Sequence, residues 1–121
     1  MAGTVTLMWR CFTSLTDARR EFGHSSCVYA QADASGHPVR VGKATKGLHA
    51  RYRGGTGWAL DAAMHQSGNL VFVAAVPPEL CAQVEAALIW EWRAKLPYNQ
   101  VGKLRSPPVD VPILHTGETP R

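Results

Sequence analysis

The sequence predicts an α+β domain, on three observations. "CVYAQADASGHPVRVG" (Cys27 to Gly42) reads as two short strands around a turn, and "NLVFVAAV" (Asn69 to Val76) as a buried, β-branched strand. The segment after Pro77-Pro78 is rich in helix formers as far as Lys95. With 121 residues, 45% of them hydrophobic, the chain can bury one core and has no room for two full domains.

Taken in order, residues 1–25 read as a lead-in with one short helix. Ser14 followed by Asp17 makes a capping box for "LTDARREFG", closed by Gly23. In the hairpin, "SCVYAQA" and "HPVRVG" flank the turn formers "DASG". Alternation puts Val28, Ala30, Val39 and Val41 on one face. A turn centred on Ala34 and Ser35 sets Tyr29 directly opposite Arg40, with Gln31 and Gly42 on the same side. Thr45 then caps a helix in "KGLHARYR", ended by Gly54-Gly55, and Thr56 caps a second, "GWALDAAMHQ", stopped by Gly68. The strand 69–76 follows, and a long helix from Glu79 to Lys95 leads into "LPYN". Residues 101–121, with four prolines, read as an extended tail.

The net charge of +4 and pI near 9.3 suit a polyanionic partner, although many proteins without one share them. Cys11, Cys27 and Cys81 are odd in number and widely spaced, which suggests neither a disulfide framework nor a zinc knuckle and fits a reducing cytosol. "MAGTVTLMWRCF" is too short and polar for a signal core, and no apolar run reaches bilayer length. A soluble, cytoplasmic protein with no membrane partner is expected.

Within the long helix, Glu79 suits the first turn and Glu91 has Lys95 four residues on. Glu85 is different. Its helical neighbours Cys81, Ala82, Leu88 and Ile89 are apolar, so its carboxylate lies beside the buried stripe and needs a cation: an arginine in a structural ion pair, or a metal. Arg51 shares a helix side with Leu48, while Arg53 points toward solvent. Tyr29 reads either as a strand tyrosine with its hydroxyl at the rim or as a proton acceptor whose pKa a facing Arg40 would lower. Lys43 adds a second positive centre. His49 and His65 read as surface histidines or phosphate contacts, and the "RGGTGW" loop as helix-ending glycines or a phosphate cradle with Trp58 stacking on a base.

In combination, "CVY", "RVG", Lys43, Leu48, Arg51, Glu85 within "VEAALIW", and "PYN" ending at Asn99 resemble the GIY-YIG nuclease domain over about Cys27 to Asn99. The resemblance implies a three-stranded antiparallel sheet flanked by helices, in the order β-β-α-α-β-α, over residues 26–100. It also implies a one-metal phosphodiesterase site loaded with Mg2+ or Mn2+. By this likeness Tyr29 contacts or deprotonates the attacking water, Arg51 steadies the phosphate, Glu85 holds the ion and Asn99 supports the site. Arg40 stands where the family has its second tyrosine, so it would grip phosphate or tune Tyr29, because a guanidinium cannot accept a proton. Cys27 replaces the first glycine. The expected function is a metal-dependent endonuclease acting on DNA in preference to RNA, with Arg53, Trp58 and His49 as outer nucleic-acid contacts. The alternative is a noncatalytic nucleic-acid-binding module on the same scaffold, or, if the charge is incidental, a protein-binding one. Monomer and homodimer are both compatible with the sequence.

Overall fold

Five strand segments among the described residues assemble into one sheet. A computed structural model describes residues 4–49, 70–92 and 111–121. Its elements are β1 (Val5–Phe12), α1 (Leu15–Phe22), β2 (Cys27–Ala32), β3 (Pro38–Ala44), β4 (Leu70–Ala75), α2 (Pro78–Glu91) and β5 (Ile113–Gly117). The strands lie in the order β3-β2-β4-β1-β5, with every neighbouring pair antiparallel except β1 and β5, which are parallel. The protein is therefore α+β, with a five-stranded mixed sheet.

The three strands expected from the sequence form the antiparallel half, β3-β2-β4. The other two correct the expectation. Residues assigned to a lead-in supply β1, whose Leu7 and Trp9 are buried while Thr6, Met8 and Arg10 are exposed. Residues assigned to a tail supply β5, which pairs with β1 from Val5↔Ile113 to Trp9↔Gly117. Gly117, at φ 74°, then turns the chain back, and the Arg121 N–H reaches the Gly36 carbonyl at 2.8 Å. The C-terminal residues thus cross the sheet end to the β2–β3 turn.

Each face of the sheet carries its own core. On one face, Val28, Ala30, Val41, Phe72 and Ala74 meet Val84, Leu88 and Ile89 of α2. On the other, Tyr29, Val71, Val73 and Phe12 meet Leu15 and Ala18 of α1, together with Leu48. Helix α1 starts as its sequence requires, with Ser14 Oγ accepting the Asp17 N–H at 3.1 Å, and ends at Gly23. Helix α2 has Pro78 at its start and extends to Glu91; Lys95 lies outside the described residues. No described helix is long and apolar enough to cross a membrane.

The hairpin register departs from the expected one. Asp33 accepts the backbone N–H groups of Ser35 at 2.9 Å and His37 at 3.0 Å, and Gly36 takes φ 89°. These bonds, those to His37 first, also hold the Asp33 carboxyl below the usual carboxylate range. The loop is longer than a turn centred on Ala34 and Ser35, and a register shift follows between Gln31 and Ala32. Tyr29 consequently pairs with Gly42, and Arg40 with Gln31. A displacement of two residues preserves the faces, so Tyr29, Gln31, Arg40 and Gly42 still share one side.

Gly42 is needed where it stands. A methyl group there would run into Cζ and the hydroxyl of Tyr29, whose ring lies over the glycine. The segment after β3 also differs from expectation. Thr45 and Lys46 form a turn, Gly47 takes φ 97°, and the helix begins at residues 48–49 rather than at a Thr45 cap. Gly42→Ala should lower stability by about 1–3 kcal/mol through overpacking. In urea melts, the loss on adding Gly42→Ala to Tyr29→Ala should be smaller than in the wild-type background, since the two changes share one contact.

Candidate functional site

Among the described residues, strand β3 is one edge of the sheet. Lys43 pairs across the hairpin with Val28, which directs it to the α2 face. Glu85 comes from the middle of α2, with Cys81, Val84 and Leu88 buried around it. The two meet: Lys43 Nζ lies 3.5 Å from Glu85 Oε1, with 42% of the lysine side chain and 23% of the glutamate exposed. The cation demanded by Glu85 is thus a lysine from the edge strand rather than an arginine. Both were site candidates, and the fold joins them.

The other candidates are divided. Tyr29 is fully buried, on the α1 face, in the cluster of Leu48, Val71 and Val73. It therefore lies across the sheet from Glu85, and its hydroxyl is not at the rim. Arg40 is half-buried on the Tyr29 face, two residues nearer the turn than Gly42. Arg51, Asn99, Arg53, Trp58 and His65 fall outside the described residues. His49 is described, at the start of the helix after β3, where Arg19 Nε donates to its Nδ1 at 3.3 Å.

Sequence reasoning missed a cluster between the end of α2 and β5, at the sheet edge opposite β3. Trp9 Nε1–H donates to His115 Nδ1 at 2.9 Å, and His115 Nε2 stands 3.0 Å from Glu91 Oε2. Because an indole can only donate, Nδ1 is the accepting nitrogen of this imidazole and Nε2 carries the proton toward Glu91. The imidazole also stacks on Trp92 at 5.6 Å and on Trp9 at 6.2 Å. With Nδ1 committed to an indole, the assembly stitches β5 to α2 and is poorly suited to general-base work. Only proximity in the fold could have found it, since Glu91 reads in sequence as a partner of Lys95.

Thiol chemistry has no support here. Burial, followed by the neighbouring Cys81, pushes the Cys27 thiol up to about 12, which removes its thiolate at neutral pH. Cys11 is half-buried, and its thiol is raised by burial and then by Glu118. Among the described residues, no three His, Cys, Asp or Glu side chains gather as a cation site. Glu85 can still fit a hard divalent ion in the one-carboxylate manner, with water and substrate oxygens completing the shell, because its present partner is a part-exposed ammonium at 3.5 Å.

No family model matches the chain, and searches of curated proteins and solved structures give no match.

Two outcomes follow from the site as described. Lys43→Met or Glu85→Gln should change stability by no more than about 1 kcal/mol in thermal or urea melts, because part-exposed ion pairs contribute little. In the native protein at pH 7.5, a thiol reagent such as DTNB should leave Cys27 and Cys81 unmodified and titrate them only after denaturation. Mass spectrometry of the labelled peptides reads this directly.

Proposed function

We propose that this protein is a metal-dependent endonuclease of the GIY-YIG type, acting on nucleic acid and preferentially on DNA. One observation carries the reading. Glu85, from the helix after β4, and Lys43, directly after the "RVG" stretch, belong to separate motifs of the resemblance and converge beside an edge strand. The antiparallel arrangement of β3-β2-β4 supports it, as does the surplus of positive charge.

In this reading Glu85 would hold Mg2+ or Mn2+, which when bound supplies positive charge to the phosphoryl oxygens. With Glu85 so engaged, the Lys43 ammonium would be available to a phosphate oxygen. Arg40 stands on the same strand but on its other face, so its grip on phosphate is assigned by the resemblance alone. Arg51 and Asn99 are assigned their roles by the resemblance alone. Tyr29 is assigned a positioning role: its buried ring seats Gly42, and Gly42 sits between Arg40 and Lys43. The cysteine usage favours a cytoplasmic setting.

A specific observation favours a second reading. With Tyr29 enclosed across the sheet from Glu85, and Arg40 in place of the family's second tyrosine, the described residues include no evident group to activate water. A noncatalytic nucleic-acid-binding module would have the same surface.

Purified protein incubated with supercoiled plasmid and with single-stranded DNA, in Mg2+, Mn2+ or EDTA, separates the two. The nuclease reading expects metal-dependent nicking that Glu85→Gln lowers by about a hundredfold or more. Nicking that persists in EDTA or in Glu85→Gln would overturn it, and salt-sensitive binding without cleavage would select the binding module.

A further inference from the structure

We propose that Trp9, His115 and Glu91 form a proton-operated clasp: the neutral His115 ring ties β1 to α2, and on taking up a proton it lets go of β1 while keeping its hold on α2. The proposal does not depend on the nuclease reading.

Three elements meet at this imidazole. His115 lies in β5, Trp9 in the neighbouring β1, and Glu91 is the last residue of α2. The Trp9 indole N–H donates to Nδ1 at 2.9 Å, and Nε2 stands 3.2 and 3.0 Å from the two Glu91 carboxylate oxygens. Trp92 packs against both rings, its centroid 5.6 Å from that of His115 and 6.1 Å from that of Trp9.

The two ring nitrogens have opposite duties. An indole N–H cannot accept, so Nδ1 offers its lone pair, and the single proton of the neutral ring sits at Nε2, toward Glu91. A second proton can enter only at Nδ1. There it turns the acceptor into a donor aimed at another donor, so the Trp9 bond and the imidazolium exclude each other. Trp9 is 1% exposed, and its N–H is then left without an acceptor away from water.

Glu91 acts in the opposite sense, because its negative charge favours the imidazolium. Among the described residues it is the one charged side chain in contact with the ring; Glu118, just beyond β5, accepts the Cys11 N–H at 3.1 Å. The groups that β1 and Trp92 present to the ring are uncharged. Solvent can deliver the proton, since 23% of the His115 side chain and 44% of Glu91 are exposed. A glutamine could give the same acceptor and donor without titrating, whereas imidazole changes charge between about pH 5 and 8.

The test is NMR of the indole N–H groups and the His115 ring in the same samples, from about pH 7.5 to about pH 5, with Trp9 assigned through Trp9→Phe. The Trp9 indole resonance should move with the midpoint of the His115 ring. Protection of that N–H from solvent exchange, corrected for the intrinsic effect of pH, should fall about tenfold or more. His115→Gln, checked by thermal melting, should make both flat, and Glu91→Gln should move the midpoint to lower pH. A His115 ring that titrates while the Trp9 signal and protection stay constant would overturn the clasp. So would a ring that does not titrate in this range, or an unchanged Trp9 response in His115→Gln.

Discussion

The seating of the Tyr29 ring on Gly42 is the contact on which the candidate site depends. It holds β2 and β3 in a register where Tyr29 opposes Gly42 and Val28 opposes Lys43. Because side chains alternate along a strand, that choice sends Lys43 to the α2 face and Arg40 to the α1 face. A slip of one residue would exchange them, taking from Glu85 its Lys43 partner and turning that lysine toward the core under α1. The absence of a side chain at position 42 is thus tied to the placing of charge at positions 40 and 43.

Much of this could be read from the chain, for local reasons. The hairpin, β4 and the start of α2 carry short-range signals: turn formers, an apolar β-branched run and a proline pair. The need of Glu85 for a cation was legible from its apolar neighbours, and the two faces of the hairpin from alternation. The identity of the cation was not, since Lys43 and Glu85 meet only when α2 packs beside β3. The register was missed because Asp33 gathers two backbone N–H groups and lengthens the loop, a choice that "DASG" does not reveal. Strand β5 was missed because "ILHTG" is short and pairs in parallel with residues more than a hundred positions away. His49 read only as a surface histidine or a phosphate contact because its partner Arg19 lies on a different element.

The sheet also explains why the two ends of the chain differ from the middle in what they do. Extending β3-β2-β4 by β1 and β5 covers the inner edge of β4 and leaves β3 as one outer edge. The Trp9–His115–Glu91 chain of hydrogen bonds fastens the added strand to α2, with its polar atoms satisfied and its rings stacked. Polar groups there are used up in holding elements together. Lys43 and Glu85, beside β3, are instead partly exposed and joined by one long contact.

That contrast bears on how far the Lys43–Glu85 pair is a structural feature. A half-buried carboxylate beside a packing helix favours a neutralising cation, and at this exposure the condition is a mild one. A buried arginine would meet the condition more firmly, with two parallel bonds to the carboxylate. A lysine on an exposed edge strand meets it with a single flexible ammonium that can swing into solvent at little energetic expense. The same residue that lets α2 dock therefore leaves Glu85 available to another cation. The folding requirement and the proposed function ask for different partners of one carboxylate, and an exposed lysine is compatible with both.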